Sequence, residues 1–209
     1  MKYHMIAFAA GFLLDQLFGD PYFLPHPIRG IGWLITQLEK WLRGNVSKNE
    51  TTKRVDNTVV DINAEKDRKT SLAAQRIQGR ILVVLVLLIT GGIAAMVLFG
   101  AYHIHSGLGV AIESIMTYQI LAARCLQVES GKVWKQLKAG DLQAARTAVS
   151  MIVGRDTENL SEEGVAKAAI ETVAENTSDG VIAPMLYTAL GGPVLGFLYK
   201  AVNTMDSMV

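Results

Sequence analysis

Residues 81–99 read ILVVLVLLITGGIAAMVLF. These nineteen residues carry no charge, and an α-helix needs about 20 residues to cross the hydrocarbon core of a bilayer. The stretch is expected to be a transmembrane helix. Gly91 and Gly92 would weaken a soluble helix, but in a membrane they are expected at a close helix–helix contact.

Three less uniform apolar stretches lie on either side. Residues 5–18 carry Asp15 and run into Asp20 and Pro21. A cleaved signal peptide would not carry an acid there or lead into DPYFLPHP. Residues 107–123 carry Glu113, and residues 181–202 carry Pro184, Gly191, Gly192 and Pro193. The last stretch is expected to be a broken or re-entrant element, which a membrane tolerates only where protein or a watery cavity meets the freed backbone groups. The expected fold is an all-α, polytopic helical membrane protein with a cytoplasmic helical part.

Composition agrees. Half of the 209 residues are hydrophobic, 19% are charged, and the mean hydropathy is +0.28, values that lean toward a membrane protein. A net charge of +1 gives no argument for nucleic acid as a partner. The single cysteine, Cys125, excludes an intrachain disulfide and a multi-cysteine metal site, and reads as a small apolar core residue. There is no P-loop, no G-x-G-x-x-G after a strand and no G-x-S-x-G.

Five stretches follow: a membrane-associated segment with the DPYFLPHP loop, 1–42; a polar, disordered loop, 43–80; a transmembrane helical hairpin, 81–123; a cytoplasmic helical region, 124–180; and a second membrane-associated segment, 181–209. Arg76 and Arg80 flank the apolar stretch and place the 43–80 loop inside the cell. The chain then runs outward, turns at 102–106, and returns to Arg124, Lys132, Lys135 and Lys138 on the inner side.

Within the helical region, Asp141 is placed to cap a helix whose Leu142, Ala145, Val149 and Ile152 share a face, with Gly154 ending it in the left-handed conformation. A second helix is expected to start at Ser161, with Glu162 and Glu163 complementing its dipole. It carries Glu171 and Glu175, with Asp179 four residues further on. Gly164 and Ala168 leave room on that stripe, and Val165, Ala169, Ile170 and Val173 form a packing face. Like charges at this spacing repel unless a cation binds, and Mg²⁺ takes such oxygen ligands, often together with phosphates. A solvated acidic face explains the pattern equally well, and Asn176 and Asp179 also suit a turn.

Polar residues elsewhere leave similar choices. Arg155, with the amides opening the second helix, suits an anion, and Asp156 suits orienting that arginine or joining a metal site. An Arg–Asp pair or a cap is the plainer reading. Asp20 and His26 sit among Pro21, Pro25 and Pro27, which present them rigidly for catalysis or phosphate handling, unless His26 is structural. Asn203 and Asp206 fall on one side of a helix and suit a metal or polar substrate, or a packing contact. His4, His103 and His105 carry less of a signal.

The stretches GFLLDQLFGDPYFLPHPIRGIGWLI (11–35), GDLQAARTAVSMIVGRDTENLSEEGVAKAAIETVAENTSDGVIAPMLYTALGG (140–192) and YKAVNTMDSMV (199–209) together resemble the adenosylcobinamide-phosphate synthase family of cobalamin biosynthesis, the CbiB/CobD type. The combination of GRDT, ETVAENTSDG and NTMDSM is specific, although each alone is weak. The resemblance implies a multi-pass enzyme of a bacterial or archaeal inner membrane with its active face in the cytoplasm. It would join (R)-1-amino-2-propanol, or its O-phosphate, to a carboxylate of adenosylcobyric acid in an ATP- and Mg²⁺-dependent ligation.

On that reading the catalytic set is Asp20, His26, Arg155, Asp156, Glu171 and Glu175. Arg155, Asn176, Asn203 and Asp206 would hold substrate or phosphate, and Glu171, Glu175 and Asp179 would hold Mg²⁺. The expected partners are the corrinoid, the amine, the lipid bilayer and other cobalamin-pathway enzymes. The family continues beyond the DSM motif, so the chain is expected to be C-terminally truncated and impaired. A non-catalytic membrane scaffold or carrier for corrinoid intermediates is the alternative, and a transporter using Asp15 and Glu113 is disfavoured because equal, repeated spans are missing.

Overall fold

The computed structural model describes residues 2–19, 26–50 and 62–208. Among them the regular structure is helical throughout: α1 (Lys2–Phe18), α2 (Pro27–Glu50), α3 (Ile62–Ile104), α4 (Ser106–Ile120), α5 (Ala123–Lys138), α6 (Leu142–Ser150), α7 (Glu162–Thr177), a five-residue π-turn (Ser178–Ile182) and α8 (Ala183–Met208). The expectation of an all-α chain holds. Two stretches, Gln75–Ile104 and Glu162–Met208, are long and apolar enough to cross a membrane by length and composition. The first contains residues 81–99. Helix α2 runs to Glu50 and α3 starts at Ile62, so helix reaches from both sides into the stretch read as a loop, and residues 51–61 lie outside the described set.

The chain divides into two units, Met1–Pro25 with Ala94–Lys200, and His26–Ile93 with Ala201–Val209. In the first unit α1 packs along α4. Its buried positions Ala7, Gly11 and Asp15 fall four apart, on one stripe. A side chain at Gly11 would bring its Cβ within 2.6 Å of Thr117 Cβ and 2.7 Å of the Ser114 carbonyl, so the absence of a side chain sets how closely the two helices approach. Gly19 ends α1 with φ at 62° and donates to the Asp15 carbonyl at 2.9 Å, a left-handed stop that glycine adopts without strain. Tyr118 ties the same corner to α4 through a 2.5 Å bond to the Gly19 carbonyl.

Helices α5, α6 and α7 pack on one another around Val133, Ala145, Val149, Val165 and Ala168, with Leu142, Ile152 and Leu160 against them. The apolar face read from Leu142, Ala145, Val149 and Ile152 is the one that packs. Asp141 accepts from the Ala144 amide at 2.9 Å and Ser161 from the Gly164 amide at 3.1 Å, so both expected caps form.

Two details differ. Helix α6 ends at Ser150, not at Gly154. The Met151 and Ile152 amides reach back three residues to Ala148 and Val149, tightening the last turn, and Gly154 is not among the glycines with positive φ. On α7, Val165 and Ala168 face the core while Ile170 is 69% exposed, because the α5–α6 contact takes up an i, i+3 stripe.

Helix α8 is broken where its sequence suggested. Gly191 has φ −135°, ψ 22° and Gly192 φ 66°, ψ −173°, followed by Pro193. Pairing φ near +66° with an extended ψ is open essentially only to glycine. The close contact expected at Gly92 is not made: the space where its side chain would point is open. Tight approaches fall instead at Gly11 and at Gly196, whose Cβ would lie 2.7 Å from the Ile120 side chain.

In the second unit Ile31 and Ile35 of α2 are buried, as are Leu82 and Val86 of α3, and Gln78 of α3 donates to the Leu42 carbonyl at 3.2 Å. Trp33 and Trp41 remain on the outer side of α2.

Candidate functional site

The loop between α6 and α7 is the first polar site. Arg146 donates to the Leu160 carbonyl at 2.7 Å, and Thr157 donates to the Arg146 carbonyl at 3.2 Å. These bonds draw the loop back over α6 and bury Thr157. Arg155 is then presented beside α7, where it meets Glu171 at 2.9 Å with both side chains about half exposed. Asp156 does not pair with Arg155. It accepts from the Glu158 amide at 2.9 Å, an Asx-type turn that shapes the loop. A cleft of about 300 Å³ opens here, lined by Arg146, Thr147, Ser150, Arg155, Asp156 and Glu158 among others.

The acidic stripe on α7 is helical through Glu171 and Glu175, and α7 ends at Thr177. Asp179 follows in the π-turn, a distortion found often at functional positions. Among the described residues, no three His, Cys, Asp or Glu side chains form a group that could hold a metal ion. The expected Mg²⁺ set of Glu171, Glu175 and Asp179 is not assembled as a cage. Glu171 is held by Arg155, with Lys167 3.9 Å away, while Asp179 lies within electrostatic reach of Tyr199 and of the buried Lys200 on α8. Asn176 donates to the Thr172 carbonyl at 3.0 Å and lines a second cleft of about 210 Å³ with Cys125, Glu129 and Gly180. Cys125 is half-buried at the edge of this cleft.

A second polar group sits among the most apolar helices. Asp15 is 1% exposed and accepts from the Arg124 amide at 3.3 Å. Lys200, 5% exposed, has Asp15 and Asp179 as its opposing charges. Lys200 was not singled out from the sequence, although an ionisable group inside an apolar run is itself a functional signal. His4 carries little signal in the sequence, yet its Nδ1 lies 2.5 Å from Glu113.

The remaining sequence-derived candidates belong to the second unit or lie beyond the described residues. His26 caps α2: its Nδ1 accepts from the Ile28 amide at 3.3 Å. Asn203, half-buried, and Asp206, exposed, share α8 at the expected spacing. Asp20 lies outside the described residues.

Buried carboxylates on α1 and α4, a buried lysine on α8 and an arginine-bearing loop between α6 and α7 define an all-α protein that carries polar groups among apolar helices. The profile of the family described as CobD/Cbib protein matches residues 8–209, and the chain belongs to that family. It is 43% identical over 205 residues to the cobalamin biosynthesis protein CobD of Listeria monocytogenes, covering 98% of this chain and 58% of that protein. It is 46% identical over 197 residues to the protein of the same name from Geobacter metallireducens, covering 94% and 54%. Against that of Klebsiella pneumoniae the identity is 40% over 205 residues, covering 98% and 57%. The chain thus spans a little over half the length of these relatives. No solved structure matches it.

Proposed function

We propose that this chain carries the greater part of the site of a cobalamin-biosynthesis enzyme, an adenosylcobinamide-phosphate synthase. It would join (R)-1-amino-2-propanol or its O-phosphate to a carboxylate of adenosylcobyric acid at the expense of ATP. The observation that carries this reading is family membership across residues 8–209, a range that contains the GRDT, ETVAENTSDG and NTMDSM motifs.

The chemistry needs an activated carboxyl. A corrinoid carboxylate oxygen attacks the γ-phosphorus of ATP, giving an acyl phosphate and ADP. The amine nitrogen then attacks the acyl carbon, the C–O bond to phosphate breaks, and the nitrogen loses a proton to a base. Arg155 supports the phosphoryl steps: its exposed pair with Glu171 is weak, so a phosphate can replace the carboxylate at small cost and gain a charge-assisted contact. The base is His26 or Asp20.

Mg²⁺ enters as the ATP complex. It commonly uses one or two carboxylates and completes its shell with water and phosphate oxygens, which suits Glu175 and Asp179 without a three-carboxylate cage. The enzyme would sit as a multi-pass protein in a bacterial or archaeal inner membrane with Arg155 facing the cytoplasm, in contact with other enzymes of the pathway.

The test supplies adenosylcobyric acid, the amine or its phosphate, and Mg·ATP to membrane-embedded protein, both this chain and its full-length form. Product should form only with ATP, and Glu175→Ala or Asp179→Ala should abolish turnover. Corrinoid binding without turnover in either form would favour a carrier.

A further inference from the structure

Glu113 on α4 is a polar group of the first unit that the proposed chemistry does not use. It is 3% exposed, and each of its oxygens has a partner. Oε1 lies 2.5 Å from His4 Nδ1, and Oε2 accepts from the Tyr102 hydroxyl at 2.5 Å. The other ring nitrogen of His4, Nε2, lies 3.0 Å from the Ala189 carbonyl. Three helices, α1, α3 and α4, thus converge on the first segment of α8.

The protons in this cluster can be counted. A carbonyl only accepts, so His4 Nε2 carries a hydrogen. Two lone pairs 2.5 Å apart would repel, so a proton also lies between His4 Nδ1 and Glu113. Whether it belongs to the imidazole or to the carboxyl, the group has no net charge. A buried carboxylate that would be costly alone is neutral as part of the set.

The Ala189 carbonyl explains what the cluster is for. It is among the last carbonyls of the helical segment before the break. In a continuous helix its donor would be the amide four residues on, but that residue is Pro193, which has no N–H. His4 Nε2 supplies a donor in its place. Gly192, with φ +66°, runs beside the cluster: a Cβ there would be 3.7 Å from Glu113 Oε1 and 3.9 Å from His4 Cε1. Gly109, one turn before Glu113, leaves the space filled by the Tyr102 ring, which a side chain at that position would strike.

We propose that His4, Glu113 and Tyr102 form a net-neutral, proton-bridged latch that supplies the donor missing at Pro193 and holds the break in α8 at Gly191–Pro193.

Backbone hydrogen exchange of the membrane-embedded chain tests this. The variants are His4→Phe, Glu113→Leu, the double variant, and Tyr102→Phe, which removes one hydroxyl. If the latch acts as one unit, His4→Phe and Glu113→Leu each speed exchange in residues 186–197 about tenfold. The double variant then exchanges no faster than the quicker single one. Tyr102→Phe gives a smaller rise, and the α6–α7 core keeps its protection throughout. The proposal is overturned if exchange at 186–197 is unchanged, if the double variant multiplies the single effects, or if protection falls equally across α6 and α7. Should Glu113→Leu fail to fold, His4→Phe and Tyr102→Phe decide: no rise at 186–197 in either overturns it.

Discussion

Arg155 and Glu171 meet at 2.9 Å with 54% and 50% of their side chains exposed, and exposed ion pairs contribute about 0–1 kcal/mol. Arg155→Ala is therefore expected to leave the melting temperature nearly unchanged while lowering ATP-dependent product formation at least tenfold. A matched loss of both would make the arginine structural. The two histidines show how far single residues can be read. His26, between prolines, invited attention and caps α2, whereas His4 carried little signal and holds Glu113. Glu113 announced its need for a partner, since an acid in an apolar run requires one. That partner stands 109 residues away, and no local spacing encodes such a pairing.

Among the elements, α6 and α7 were the most legible because caps and periodicity are local. Ser161→Ala should cost about 1 kcal/mol, read as a lower melting temperature with faster exchange confined to the first turn of α7. Val149, fully buried in the α5–α6–α7 core, should cost about 2 kcal/mol as alanine; a loss below a few tenths would mean that this core does not form. Gly11→Ala should destabilise the α1–α4 contact by about 1–3 kcal/mol through overpacking, seen as a lowered melting temperature that Gly30→Ala, in open space, does not reproduce. Less was legible where tertiary contacts decide. The end of α6 lies four residues before Gly154 because the Met151 and Ile152 amides tighten its last turn onto Ala148 and Val149. The choice of Gly11 over Gly92 as the close-contact glycine depends on which helices become neighbours.

For the whole molecule, the all-helical character, the apolar span over 81–99 and the break in α8 follow from composition and periodicity. The grouping of Asp15, Asp179 and Lys200 does not, because it joins three distant parts of the chain. Exposed apolar side chains such as Leu88, Met96 and Phe99 line α3, at 65%, 75% and 75% exposure, on a stretch long and apolar enough to cross a membrane. The chain is expected to stay in the membrane pellet after alkaline carbonate washing and to need detergent for release. Recovery in the soluble fraction without detergent would contradict a membrane-spanning arrangement.

The π-turn at Ser178–Ile182 sets the phase between two stretches of helix. Each residue of an α-helix advances the direction of its side chains by about 100°, so the widened turn acts as a fixed rotary offset between α7 and the first segment of α8. A one-residue deletion there would leave every remaining side chain chemically intact, yet swing the face bearing Thr188 and Ala189 by roughly a quarter turn. The Ala189 carbonyl would then point away from His4. Chain length at this one joint is therefore as strict a requirement as residue identity.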